Sequence, residues 1–418
     1  MDSNQRDFRA ACAAASCRAC GRKGLEPVLD LGAMPLADGL KTEADLAKPE
    51  GRYPLEVGFC PDCALVQITE TLPPEVLFGH DYPYFSSFSD ALLKHSRDNA
   101  LSLIESRKLG PQSLVIELAS NDGYLLKNFV EKGIPVLGID PAPGPAAAAE
   151  KIGVRTMCTF FTKALAEELA ANGTRADVVI GNNVLAHVAD TNGFVQGIRT
   201  ILKDDGTTSI ECPYLRDLID HCEFDTIYHE HLCYFSVTAV NNLFRRNGLY
   251  LNHVERLPIH GGSLRLFAGR REDVRQSVTS LLAEEKALGM DKPEYYRGFA
   301  DRVNSIRSEM RRILSDLKDQ GKRIAAYGAA AKGAIMLNAI GVAEETIDFA
   351  VDRNVHKQGK YMPGGRIKIL PPTELLARMP DYTIILPWNF KDEILAQQAE
   401  YRARGGKFII PIPKPAIV

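Results

Sequence analysis

Four short apolar runs, "SLVIEL" (113–118), "PVLGID" (135–140), "ADVVIGN" (176–182) and "GTTSIEC" (206–212), are separated by stretches with helical spacing. No other feature limits the fold as tightly. Short strands alternating with helices build βαβ units, whose parallel strands are buried on both faces. The predicted class is therefore α/β, with this pattern filling residues 81–265. A second α/β unit follows. Phe299, Val303, Ile306, Met310, Ile313, Leu314 and Leu317 recur at helical spacing and predict one long amphipathic helix. It leads into "RIAAYGAAAKGAIMLNAIG", a strand, a Gly/Ala turn and a helix, and "IDFAVD" and "YTIILPW" read as further strands. Three domains are expected: a loop-rich module over residues 1–80, the central unit over 81–265, and a smaller unit over 266–418.

The chain has 418 residues, which is room for three such units. Its formal net charge of −3 gives no field that favours nucleic acid. No apolar run approaches the roughly 18 residues of a membrane span. The start is polar, and the Ala-rich run after it lacks a cationic flank followed by an apolar core. A cytoplasmic protein without a signal peptide is expected. In that compartment nine cysteines point to metal or free thiols, not to a disulfide framework.

Cys17-Arg-Ala-Cys20-Gly and Cys60-Pro-Asp-Cys63 are two C-x2-C knuckles. Zn²⁺ favours four tetrahedral thiolates, and each knuckle presents two sulfurs to one ion. Four cysteines close the coordination shell, so the predicted zinc is structural. Cys12, Cys158, Cys212, Cys222 and Cys233 have no such spacing and read as packing residues.

"LVIELASNDGYLL" (114–126) is a strand ending near Glu117, a small-residue turn with Asn121-Asp122-Gly123, and a helix. One βα unit later Asp140 stands at a strand end, where a carboxylate can accept ribose hydroxyls. The G-x-G-x-x-G turn of a dinucleotide oxidoreductase is missing, and the acidic side chains would repel a pyrophosphate. Glu117, Asp122 and Asp140 suit instead a cofactor with a cationic sulfonium and an amino acid end. Gly123 is expected to let it approach the backbone. This resembles the class I S-adenosylmethionine methyltransferase pattern. In "DVVIGNNVLAHV" (177–188), Asn182 and Asn183 end a strand on the ligand side; they hold the methionine moiety or cap the next helix. The expected cofactor contacts are Glu117, Asn121, Asp122, Gly123, Asp140 and Asn183.

"CRACG", "LGAMPLADGL", "CPDCALVQ", "DYPYFSS", "IELASNDGYLLK", "GNNVLAHV", "EFDTIYHEHLCYFS" and "IHGGSLR" occur in this order. Together they resemble the zinc-containing, S-adenosylmethionine-dependent sugar C-methyltransferases of deoxysugar antibiotic biosynthesis. The resemblance runs from about residue 17 to the C-terminus. It implies a zinc domain, a class I (Rossmann-like) methyltransferase domain and a C-terminal Rossmann-like domain, with a sugar nucleotide held between the last two. It also implies methylation at C3 of a 4-keto-2,6-dideoxy sugar on a nucleoside diphosphate, with dTDP as the nucleotide by the same resemblance. Carried over by motif position, Tyr82, His187, Tyr228, Glu230 and His231 form the active-site group. The motifs do not fix the sugar carbon. The expected partner is a nucleotide sugar, with no nucleic acid and no membrane, and the expected state is a monomer.

The residues themselves carry part of this reading. Tyr228, His229, Glu230 and His231 are four proton-handling groups in a row. An extended segment would put Tyr228 and Glu230 on one face and both histidines on the other, whereas a turn would converge them. A carbon beside a ketone becomes a nucleophile when a base takes its proton and a donor stabilises the enolate oxygen. Histidine is the natural base near neutral pH, and His231 is the expected one. In "IHGGSLR", Ser263 and Arg265 are candidate diphosphate ligands or a strand-entry turn with a surface Arg. Lys332 in "YGAAAKG" reaches an anion at a helix N-terminus or lies in solvent. Trp388 is read as core packing before a ligand border. Two rival functions stand. An RNA methyltransferase would need a basic module, but residues 1–80 hold 8 Lys/Arg against 12 Asp/Glu, a net of −4. A non-catalytic binding protein would not need the acidic cofactor positions or the Tyr-His-Glu-His cluster.

Overall fold

A computed structural model describes residues 7–77, 85–88 and 90–418. In the N-terminal module β1 (Glu26–Met34), β2 (Tyr53–Phe59) and β3 (Val66–Ile68) form an antiparallel meander beside the cysteine knuckles. The central unit opens with β4 (Val115–Leu118), β5 (Val136–Ile139), β6 (Thr156–Met157), β7 (Ala176–Asn182) and β8 (Leu202–Pro213), all paired in parallel. β4, β5, β7 and β8 are the four predicted runs. Every side chain of β4 is buried, which is why Val115, Ile116 and Leu118 show no polar alternation and Glu117 is the one charged residue among them. β9 (Cys233–Tyr234) leaves this sheet and pairs with β3, so it is the fourth strand of the zinc-module sheet. β10 (Tyr250–Leu257) and β11 (Ser263–Gly269) return as an antiparallel hairpin, giving the order β10-β11-β8-β7-β4-β5-β6. β11 carries the central sheet to Gly269, past the boundary expected at 265.

The helix Phe299–Asp319 forms as its periodicity predicts, with Phe299, Val303, Ile306, Met310, Leu314 and Leu317 buried. It precedes β12 (Ile324–Tyr327), β13 (Phe349–Val351), β14 (Ile369–Leu370), β15 (Tyr382–Ile385), β16 (Lys407–Ile410) and β17 (Ala416–Ile417). Their order is β14-β13-β12-β15-β16-β17, parallel except for β17. Strand order therefore reverses twice in the molecule, between β4 and β7 and between β12 and β15. Crevices for ligands open at such switch points, beyond the carboxyl ends of the strands. At the second one Gly328 has φ +87°, and a Cβ there would lie 2.5 Å from Pro387 Cδ, so only glycine admits this turn. No helix among the described residues is long and apolar enough to cross a membrane.

Candidate active site

The two knuckles come together as their spacing predicts. The Sγ atoms of Cys17, Cys20, Cys60 and Cys63 all lie within 4.8 Å of one another. Cys17 and Cys63 are 3.4 Å apart and Cys20 and Cys60 3.5 Å. Zinc with Zn–S bonds of about 2.3 Å needs sulfurs roughly 3.8 Å apart, so the set fits a tetrahedral ion with no open position. The turns close by N–H donation from Gly21 to Cys17 and from Ala64 to Cys60. Of the five other cysteines, Cys12, Cys212, Cys222 and Cys233 are buried, whereas Cys158 is exposed.

At the first switch point three acids converge. Asp140 accepts the N–H groups of Asn121 at 2.8 Å and Ala142 at 2.9 Å, while burial raises its carboxyl above the ordinary range. Glu117 is fully buried, and neither of its oxygens has a hydrogen-bond partner among the described residues. Burial first, then Asp140, Asp122 and Glu211, pushes it well above the usual carboxylate range. Buried carboxyls lacking a counter-cation suit a ligand that brings positive charge and no phosphate, as a sulfonium amino acid does. Asn121 and Asn183 both adopt positive φ at the strand ends, the conformation an asparagine tolerates best after glycine. The side chains of Asn121 and Asp122 also accept the N–H groups of Ser86 and Ser87, so they hold the segment 85–88 over the turn. Gly123 has a packing reason as well. A Cβ there would meet Val154 and Ala149 at 3.0–3.2 Å, and the backbone has positive φ, so both favour glycine at this turn. Asp140→Ala is expected to weaken S-adenosylmethionine binding by about 1–3 kcal/mol, the scale of a lost charged hydrogen-bond partner. Calorimetric titration of the variant checks this, and equal loss of sugar-nucleotide affinity would contradict it.

The Tyr-His-Glu-His segment turns. His231 N donates to Tyr228 O at 2.9 Å, which brings Tyr228 and His231 together and sends His229 away. His229 is buried against the zinc module, its Nε2 3.3 Å from the carbonyls of Tyr53 and Pro54. His231 Nδ1 lies 2.9 Å from Thr226 O. A carbonyl only accepts, so Nδ1 carries the proton and Nε2 keeps its lone pair. That nitrogen receives the Tyr228 hydroxyl at 2.8 Å. His187 packs edge-on to His231 with ring centroids 4.7 Å apart. Burial pulls His187 down to about 4, against the Glu230 carbonyl that accepts from its ring, so it is neutral at working pH. Glu230 is buried, and its Oε2 has no hydrogen-bond partner among the described residues. Burial, then the charge of Asp38, raises it to about 8. Its carboxyl is therefore largely protonated near neutral pH, and the Thr226 carbonyl, not Glu230, fixes the imidazole tautomer. Tyr82 lies outside the described residues.

The expected diphosphate ligands each have partners within the protein. Ser263 is buried and donates to Ile259 O at 3.1 Å. Arg265, on β11 in the central sheet, is a correction to the expectation of a diphosphate ligand or surface Arg. Its Nε donates to Glu211 at 2.7 Å, and Glu255 and His95 join the network. The buried Glu211 carboxylate needs this cation, which commits the guanidinium internally. Lys332, in the first turn of the helix Ala331–Ile340, is not in solvent. Its Nζ sits 4.4 Å above the Trp388 ring, and Asp225 and Glu223 are the charges that face it. Trp388 is buried and donates Nε1–H to Asp225 Oδ2 at 2.8 Å. Sequence reasoning passed over Thr226, which acts through its backbone carbonyl, and Asp38, 192 positions before Glu230 in the chain. The signal for Asp225 stood within "EFDTIYHEH".

Comparisons with known proteins agree with this architecture. Family models match a candidate zinc binding domain over residues 17–78, a methyltransferase domain over 88–254 and a C-methyltransferase C-terminal domain over 258–413. The C-methyltransferase NovU of Streptomyces niveus is 37% identical over 405 residues, 96% of each chain. A ubiquinone biosynthesis O-methyltransferase of Azorhizobium caulinodans is 31% identical over 121 residues, 28% of this chain and 45% of its own. The solved 1,6-didemethyltoxoflavin-N1-methyltransferase of Burkholderia thailandensis covers 50% of this chain and 95% of its own at 18% identity, with a TM-score of 0.37. Zinc and S-adenosylmethionine are the cofactors that the matched domains and the four-cysteine cluster support. With 37% identity along nearly its whole length to NovU, the chain belongs to the family of zinc-containing, S-adenosylmethionine-dependent C-methyltransferases.

Proposed function

We propose that the protein methylates C3 of a dTDP-linked 4-keto-2,6-dideoxyhexose in deoxysugar antibiotic biosynthesis, as a cytoplasmic monomer. In this reading the sugar nucleotide lies between the central domain and the C-terminal domain, residues 266–418. The single observation that carries it is the Tyr228–His231 pair, in which the lone pair of Nε2 accepts the tyrosine O–H at 2.8 Å. His231 Nε2 takes the proton beside the ketone. The electron pair of that C–H bond passes into the enolate, and its oxygen needs a donor. Glu230, kept protonated by burial, is one such donor. The Tyr228 hydroxyl, once it turns from Nε2 to free that lone pair for the substrate proton, and, by motif position, Tyr82 are the others. S-adenosylmethionine supplies the methyl electrophile when bound, with Glu117, Asn121, Asp122, Asp140 and Asn183 as its holders. The enolate carbon then forms the new C–C bond as the S–CH3 bond breaks, its electron pair stays on sulfur in the departing thioether, and the ketone is restored. Aligning two bound reactants is what remains for the protein to do, and it needs no metal at this site. Lys332 borders the substrate crevice at the second switch point, with its charge already shared with Asp225 and Glu223.

The test is turnover with methyl-labelled S-adenosylmethionine and a dTDP-4-keto-2,6-dideoxyhexose, read by mass and NMR. The expected product carries one label, on the sugar carbon adjacent to the ketone. Label on a hydroxyl oxygen, or transfer to RNA in place of the sugar, would overturn the reading.

A further inference from the structure

We infer that Trp388 and Lys332 of the C-terminal unit are positioning residues for the base, acting through Asp225 and the turn Phe224–Thr226. The inference rests on the reading of His231 as the base. It goes beyond that reading in giving two residues of a different sheet a role in setting the imidazole.

The chain of contacts is continuous. Trp388 follows β15 at the second switch point, and its indole N–H reaches Asp225 Oδ2 at 2.8 Å. Asp225 is wholly buried, and its Oδ1 has no hydrogen-bond partner among the described residues. A buried carboxylate without donors and cations is costly, so the indole and the Lys332 ammonium decide whether it keeps its place. Burial raises Asp225 to about 6 against the opposing pull of Lys332 and then of the Trp388 N–H. Next in the chain is Thr226, whose carbonyl accepts His231 Nδ1–H at 2.9 Å. The turn is tight. Thr226 Oγ1 donates to Glu223 O at 2.7 Å and Ile227 N to Phe224 O at 3.1 Å. A turn this short moves as one piece, so a shift at Asp225 redirects the Thr226 carbonyl. The carbonyl's direction fixes both the tautomer and the tilt of the imidazole, and hence where Nε2 points. Within the same cluster Lys332 lies over the Trp388 ring at 4.4 Å, which holds the indole edge toward Asp225. A packing role alone would be served by an apolar side chain at 225. A carboxylate there ties the base to the seating of the C-terminal unit.

The experiment uses the full chain with Trp388→Phe, Asp225→Leu and Asp225→Asn. Each variant is followed by three readouts. One is kcat and KM for both substrates, one is hydrogen–deuterium exchange at the acidic sugar carbon, and one is the ¹⁵N NMR signature of the His231 ring. Trp388→Phe and Asp225→Leu are expected to lower kcat and exchange by about 10- to 100-fold, the range for losing a group that orients a histidine through its second nitrogen. KM should hold, and the ring signal should move from the single Nδ1–H form to a mixture. Asp225→Asn still accepts the indole proton and should keep the tautomer and most of the rate. If Asp225→Leu fails to fold, Trp388→Phe and Asp225→Asn decide. Wild-type exchange and tautomer in Trp388→Phe overturn the inference, as does a loss confined to KM for the sugar nucleotide. His231→Asn separates the two readings. If it abolishes exchange while Trp388→Phe does not alter it, only this inference fails; if it leaves exchange intact, the base itself has been misassigned.

Discussion

Replacing His231 by asparagine is expected to lower turnover by about 10²- to 10⁴-fold, the range a positioned general base supplies. Cofactor binding should be unchanged, because Asp140 and Glu117 belong to the switch point of the central sheet and not to the turn that carries His231. The reason for so large an effect is an acidity gap. A carbon beside a ketone holds its proton far more tightly than imidazole would. The base must therefore work with donors that stabilise the enolate oxygen, each supplying roughly 3–4 kcal/mol. In heavy water, with substrate and S-adenosylhomocysteine but no methyl donor, wild-type enzyme should exchange the acidic hydrogen for deuterium. The variant should not. The pH profile adds a second signature. Glu230 titrates at about 8 because burial opposes its charge, so it donates below that pH and loses its proton above it. Activity should fall on the alkaline side, and Glu230→Gln, which keeps a donor, should remove that limb. Exchange at the wild-type rate in His231→Asn would move the base to Tyr228 or His187.

Much of this architecture was legible in the chain because the physics there is local. Val115–Leu118 and Ile324–Tyr327 are buried on both faces and so read as short apolar runs between helices, broken only by Glu117. The knuckles were legible because two sulfurs three residues apart face one ion. The proximity of Tyr228 and His231 was half legible. Both lie in one short segment, but whether it runs extended or turns depends on contacts that local pattern does not encode. His229 leaves the cluster because β2 of the zinc module offers it the Tyr53 and Pro54 carbonyls. Arg265 misled for the same reason. "GGSLR" looks like an anion-binding turn, yet its strand lies beside β8, where Glu211 claims the guanidinium. Thr226 left no trace at all, since every residue, whatever its side chain, offers the same backbone carbonyl to the ring. Gly123 was legible as a glycine position, but its packing against Val154 and Ala149 was not, because they come from the next βα unit.

Removing zinc is expected to cost both fold and chemistry, and to cost them together. From the four thiols alone one would expect the module to loosen first and the reaction to survive. The strand pairing argues otherwise. β3 begins three residues after Cys63, and it pairs with β9, where Val66 faces Tyr234 and Gln67 faces Cys233. Ile68 N also donates to Leu232 O at 3.1 Å, one residue beyond His231. Arg18, inside the first knuckle, donates to the carbonyls of Ile68 and Glu70 at 2.6 and 2.9 Å. The knuckles thus hold the strand that pairs with the segment directly after His231. Structural zinc contributes on the order of 10 kcal/mol to the small modules it organises. With a typical domain stable by only about 5–15 kcal/mol, the apo module should not keep β3 in place. Protein purified without added metal should contain about one zinc per chain. A strong chelator, or Cys60→Ser, should lower the melting temperature and speed amide exchange at residues 66–68 and 231–234 in step with the loss of turnover. Calorimetry, hydrogen-exchange mass spectrometry and elemental analysis measure the three quantities. A well-folded, active protein with zinc near zero would sink the structural-zinc assignment, and slow amide exchange at 231–234 after complete removal would sink the coupling.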